Sequence, residues 1–174
     1  PGDHRAFIDS SRPMAGMEAL QYANNILSSH TRFYGGAELD YAMIICFRRF
    51  STPLGYGDVV WEKYGALFNR MIQFPDPATD EPFSANPGNI DDRRDLANRG
   101  NTIDSLSARG VYFVICDAAT RVVSGFIART VGAETEDVYN ELIDSAIPNS
   151  QFVPAGVMTA TRVQEYGYSL LAAG

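Results

Sequence analysis

Two stretches of the chain, "YAMIICF" from Tyr41 to Phe47 and "VYFVIC" from Val111 to Cys116, are apolar at every alternate position on both sides. A strand with one wet face alternates apolar with polar residues. A strand that is apolar throughout must be covered on both faces, which is the mark of a parallel sheet lying between helices. The rest of the chain follows that pattern. Ala6 to Asp9 reads as a short strand, and Pro13 then suits a first helical turn. Met17, Leu20, Ala23 and Leu27 recur at helical spacing until the paired glycines of "YGGAELD" break it. Past Pro53 and Gly57, Asp58 suits the N-cap of a second helix, with Val60, Tyr64, Leu67 and Met71 on one face and Trp61 and Phe68 beside them.

Later segments continue the alternation. Thr102 can cap a short helix that closes at Gly110. "DAATRVVSGFIAR" reads as a helix weakened at Gly125. "TEDVYNELIDSAI" is amphipathic, with Val138, Leu142 and Ala146 on one face and Thr135 as its cap. "QFVPAG" is a short strand, "VMTATRVQEYG" a helix closed by Gly167, and "YSLLAA" a last strand. Together they predict an α/β fold: a three-layer α/β/α domain around a mostly parallel five-stranded sheet. The 174 residues suffice for one such core and not for two. Gln73 to Arg99 stands apart, with four prolines in its first fifteen residues and little periodicity. It reads as an irregular Pro-rich insertion (73–99) within that single domain, of a length that is often functional or a partner-binding arm.

Charge and composition narrow the function classes. A formal net charge of −7 argues against a nucleic-acid partner, which needs a basic surface. No apolar run approaches the roughly 20 residues that cross a bilayer, so no transmembrane segment is expected. The polar start "PGDHR" reads as the mature end left after an export signal, with a cytoplasmic chain as the alternative. Cys46 and Cys116 allow at most one bridge, and two buried free thiols are the favoured reading.

Catalytic motifs are sparse. There is no GxxxxGK[ST], HExxH or paired CxxC, and "GYGDVV" keeps only the first two glycines of GxGxxG. His4 near the chain start and His30 at a helix end read as peripheral, poor candidates for a zinc site or for the base of a serine triad. Neither a metal nor a cofactor is therefore expected. Asp91, Asp92 and Asp95 around Arg93 and Arg94 read as a solvated, salt-bridged surface.

Cys116 remains. It sits where a buried strand gives way to a helix, at a carboxyl end where open α/β sheets gather chemistry. The helix dipole and free backbone N–H groups there favour a thiolate, while Asp117 beside it opposes a second negative charge. A reactive thiol and an inert small core residue both fit. Cys46, inside "MIICF", reads as core. Arg48 and Arg49 follow the second strand at the same sheet edge, either as solvated surface residues or as an anion-attracting pair or oligomer contact.

Two stretches carry a resemblance. "FVPAGVMTATRVQEYGYSLL" resembles the C-terminal signature of the DsrE/DsrF-like family, and "ARGVYFVICDAATR" its strand that ends in a cysteine and enters a helix. "RAFIDSSRPMAGMEALQYANNIL" and "FRRFSTPLGYGDVVWEKY" are similar to a subgroup whose members often carry twin-arginine export signals. Where that subgroup has a histidine after the first arginine, this chain has Arg49. The resemblance implies a three-layer α/β fold, assembly into trimers or hexamers and a periplasmic or otherwise exported location. It also implies that Cys116 accepts and passes on a persulfide sulfur; on the sulfur-handling reading, Arg48 or Arg49 would steer anionic sulfur species. The other expectation is a non-catalytic homo-oligomer in which the thiol is core and residues 73–99 bind a protein partner.

Overall fold

The computed structural model describes residues 3–174. Five strands, β1 (His4–Ser10), β2 (Tyr41–Phe47), β3 (Tyr112–Cys116), β4 (Ser150–Val153) and β5 (Ser169–Ala172), form one sheet in the order β4-β3-β2-β1-β5. Every pairing is parallel, so the sheet is wholly and not just mostly parallel. The helices are α1 (Pro13–Tyr34), α2 (Asp58–Ile72), α3 (Ile103–Ala108), α4 (Asp117–Val131), α5 (Thr135–Asp144) and α6 (Gly156–Glu165).

Strand order and handedness decide where the helices lie. From β1 to β4 the chain steps in one direction across the sheet, and right-handed crossovers put all the intervening helices on one face. The return from β4 at one edge to β5 at the other reverses direction, so α6 must lie on the opposite face. The result is an α/β/α sandwich with unequal layers. The thick side holds Ile8, Ile45, Phe47, Phe113 and Ile115 against α1, α2 and α4, with Phe47 and Phe113 stacked 5.7 Å apart. Trp61 is enclosed there and donates its indole N–H to the Pro53 carbonyl at 2.9 Å. The thin side is a small cluster of Phe7, Cys46, Val114 and Ala160, with Val163 and Tyr168 against it.

Several local expectations need correcting. β1 extends beyond Ala6 to Asp9 at both ends. Gly57, not Asp58, is the N-cap of α2, and the Asp58 carboxylate instead accepts the Asn86 backbone N–H at 2.8 Å. Glu134 occupies the N-cap of α5, so Thr135 is its first residue and caps nothing. Ala146 lies past the end of that helix, bridging to Tyr56. Thr102 does cap α3, accepting the Ser105 N–H at 3.1 Å, and Gly110 takes the left-handed conformation that ends it, with φ 86°.

Residues 73–99 contain no helix or strand beyond a 3-10 turn at Pro87–Asn89, yet they are packed into the domain. Phe83 and Leu96 join the thick-side core. Asn86 is fully enclosed; its amide donates to the Leu54 and Tyr56 carbonyls at 2.8 and 2.7 Å, and its Oδ1 accepts from Gly88 at 2.9 Å. Gly65 makes the close approach feasible, since a Cβ there would stand 2.0 Å from the Phe83 carbonyl oxygen. Among the described residues, no helix is long and apolar enough to cross a membrane.

Candidate functional site

The sheet register brings the candidate residues together. Asp9 pairs with Cys46 across β1 and β2, and Cys46 pairs with Val114, two residues before Cys116. Alternation along parallel strands therefore turns Asp9, Cys46, Val114 and Cys116 to one face, the thin one. They sit at its carboxyl end, against the first turn of α6.

Cys116 ends β3 and is the N-cap residue of α4. Its carbonyl accepts the Thr120 hydroxyl at 3.0 Å, and Thr120 in turn accepts the buried Tyr56 hydroxyl at 2.9 Å, which fixes the strand-to-helix corner. Its Sγ accepts the backbone N–H of Gly156 at 3.4 Å. Gly156 is the first residue of α6, so the sulfur lies at the N-terminal ends of two helices, where unpaired N–H groups and the helix dipole favour negative charge. The thiol is 7% exposed.

Cys46 is wholly enclosed on the same side of the sheet. Burial pushes its thiol far above the ordinary value, and the neighbouring Asp9 carboxylate pushes the same way. Both cysteines are free. The space between them and α6 is tight: a Cβ on Gly156 would stand 3.1 Å from the Cys46 sulfur and 2.8 Å from the Arg48 Cβ.

The two arginines part company. Arg48 turns back onto the sheet and grips Asp9 in a two-pronged pair, Nε to Oδ1 at 2.8 Å and Nη2 to Oδ2 at 2.7 Å. That bond raises the guanidinium further above its ordinary value and fixes its geometry beside Cys46. Arg49 adopts a left-handed conformation, φ 55°, and lays its guanidinium over the exposed Phe50 ring at 5.0 Å. The sequence places the arginines as a pair; the structure makes one a sheet-edge clamp and the other a surface residue.

Asp117 has partners of its own. One carboxylate oxygen accepts the Tyr139 hydroxyl and the other accepts Arg121 Nε at 3.3 Å, while the Arg121 guanidinium lies 4.0 Å from the Tyr139 ring centre. The bond to Asp117 raises the Tyr139 hydroxyl above its ordinary value, with burial adding to it. The charge that the sequence sets against a Cys116 thiolate is thus engaged by a cation and a hydroxyl donor.

Sequence reasoning passed over Asp9 and Gly156. The lone acid in "AFID" and the glycine of "VPAG" are weak signals until register and topology bring β1, β2, β3 and α6 to one corner. The histidines do lie near element ends, as the sequence places them, but their meeting at the opposite end of the sheet had no sequence signal. No family model matches the chain, and no curated protein matches it. What fold and site define together is a class: an all-parallel α/β/α domain with a nearly buried thiol at a strand-to-helix corner on the carboxyl edge of its sheet.

Proposed function

We propose that the chain is a DsrE-like homo-oligomeric protein that carries sulfur as a persulfide on Cys116. The observation that supports this most is the Gly156 N–H directed at the Cys116 sulfur, at a residue that also caps α4. In the proposed step the Cys116 thiolate attacks the outer sulfur of a donor persulfide. The donor S–S bond breaks, the donor leaves as a thiolate, and Cys116 holds the transferred sulfur as a terminal persulfide anion. An acceptor nucleophile then takes that sulfur and regenerates the thiolate, with no external oxidant. The Gly156 N–H and the dipoles of α4 and α6 stabilise the anion at both stages. Arg48 holds the corner through Asp9 instead of steering the donor. The resemblance supports an exported location and a trimer or hexamer.

The test is to treat native protein with a low-molecular-weight persulfide and map modified cysteines by mass spectrometry. A one-sulfur increment on Cys116 and not on Cys46, transferable to an added thiol, is the expected result. A Cys116 modified only after denaturation would sink the proposal. Native mass by light scattering tests the oligomer.

The 7% exposure of Cys116 favours a second reading, a non-catalytic oligomer in which both thiols are core and residues 73–99 present a partner surface. Because that segment contributes Phe83, Asn86 and Leu96 to the interior, its outward residues such as Asp80 and Glu81 are the ones to substitute. Lost partner binding with unchanged stability would support this reading.

A further inference from the structure

The chain has two histidines, and the fold brings them together. His4 opens β1 and His30 lies in the last turns of α1, yet their ring centroids are 5.0 Å apart with planes at 74°. Tyr41, in register with His4 at the start of β2, lies 5.0 Å from each ring, stacked on His4 and edge-on to His30. The rings stand in an open cleft walled also by Asn25, Ile26, Ser29 and Tyr34. This is the amino end of the sheet, away from Cys116.

We propose that His4 and His30 form a two-histidine site for a divalent transition-metal ion of the copper, nickel or zinc type. The spacing fits. With a metal–nitrogen distance of about 2.1 Å and a ring centre about 1.1 Å behind the nitrogen, two imidazoles on one ion have centroids about 4.5 Å apart at a right angle and about 5.2 Å apart at the tetrahedral angle. The observed separation falls between them. His30 carries the partner that ligating imidazoles usually have: its Nε2 lies 3.2 Å from Asp40 Oδ2, and Asp40 is itself anchored by the Ala37 N–H at 2.7 Å. With Nε2–H donating to Asp40, the lone pair sits on Nδ1, the ligating nitrogen. Gly36 packs against the Nε2 edge of that ring, so Nδ1 lies on the far side from it. Stacking on Tyr41 orients His4. Imidazole ligands select the later first-row metals over magnesium or calcium.

Among the described residues, no group of three or more His, Cys, Asp or Glu stands together as a ligand set. The ion would therefore be held by two protein nitrogens, with water or a small anion completing its coordination. Affinity is accordingly weaker than at a closed structural site.

The experiment is calorimetric titration of the full chain with Zn²⁺, Ni²⁺ and Cu²⁺, and with Mg²⁺ and Ca²⁺ as contrasts. The expected result is one equivalent bound for the first three and none for the last two. His4→Ala, at an exposed position, lowers affinity by about tenfold or more with the circular-dichroism spectrum unchanged. Cys116→Ser leaves it unchanged. Absence of binding by all three metals, equal binding by His4→Ala, or loss in Cys116→Ser alone would each overturn the proposal.

Discussion

The two faces of the sheet are built for different ends. On the thick face, Phe47, Phe113, Trp61 and Phe68 interlock beneath three long helices. On the thin face, a ten-residue helix covers Phe7, Cys46 and Val114, and Asp9, Arg48 and both thiols gather at its leading end. Outer residues of that helix, Val157 and Met158, remain exposed. Bulk on one side supplies stability, and the light cover on the other is expected to open without unfolding the domain. A buried thiol that exchanges sulfur, as proposed for Cys116, belongs on the second kind of surface.

The largest effect should come from the thick face. Trp61→Ala removes a fully enclosed indole and should cost about 3–5 kcal/mol in denaturant unfolding, enough to consume much of a typical domain's stability. A loss below 1 kcal/mol would show that the interlocked aromatics are not the main source of stability.

Arg48→Met comes next, on the thin face. It leaves the Asp9 carboxylate, 13% exposed, without its two-pronged partner, and should cost about 2–3 kcal/mol. The double variant Arg48→Met/Asp9→Asn should recover part of the loss. No recovery would mean that Arg48 acts through packing on Gly156 and not through charge.

Gly156→Ala separates the faces most sharply. The added Cβ would press on Arg48 and on the Cys46 sulfur, so α6 has to lift, at about 1–3 kcal/mol. Alkylation of Cys116 should then quicken well beyond what the lost stability explains, while Cys46 still labels only on global unfolding. In the unaltered protein the same logic predicts a Cys116 labelling rate almost flat in low urea. A rate that tracks global stability would make the two faces one cooperative unit.

The layer architecture was legible because it rests on patterns that local chemistry imposes. Runs apolar on both sides require cover, and "YAMIICF" has the bounds of β2. The α6 side was not legible, because which face a crossover takes depends on strand order, and no local pattern encodes that order. The thiol's position was readable from "VYFVICDAATR", whereas its hydrogen-bond donor, forty residues on, was not. Arg48 and Arg49 look alike in sequence; a single left-handed residue sends them different ways. His4 and His30 seemed peripheral because each lies near an element end, and it is the parallel pairing of β1 with β2 that brings both against Tyr41.

The smallest effect contrasts two ion pairs. Glu38 accepts Arg109 Nε and Nη2 at 2.9 and 2.7 Å at the rim of the thick side, where both side chains keep a quarter or more of their surface in water. The hydrogen bonds from Arg109 hold its carboxyl below the ordinary value of 4.5, against a smaller opposing effect of burial. The native chain therefore binds fewer protons at this site than the unfolded chain. The contribution is complete above about pH 4.5 and disappears as pH falls through the lower folded value. Glu38→Gln should cost less than about 1 kcal/mol near neutral pH and almost nothing at the acid end, flattening that part of the stability curve slightly. Arg48→Met should cost more than Glu38→Gln near neutral pH, because its pair is further from water. If the two variants cost the same, the thin face is as wet as the rim, and the dry corner around Cys116 would have to be given up.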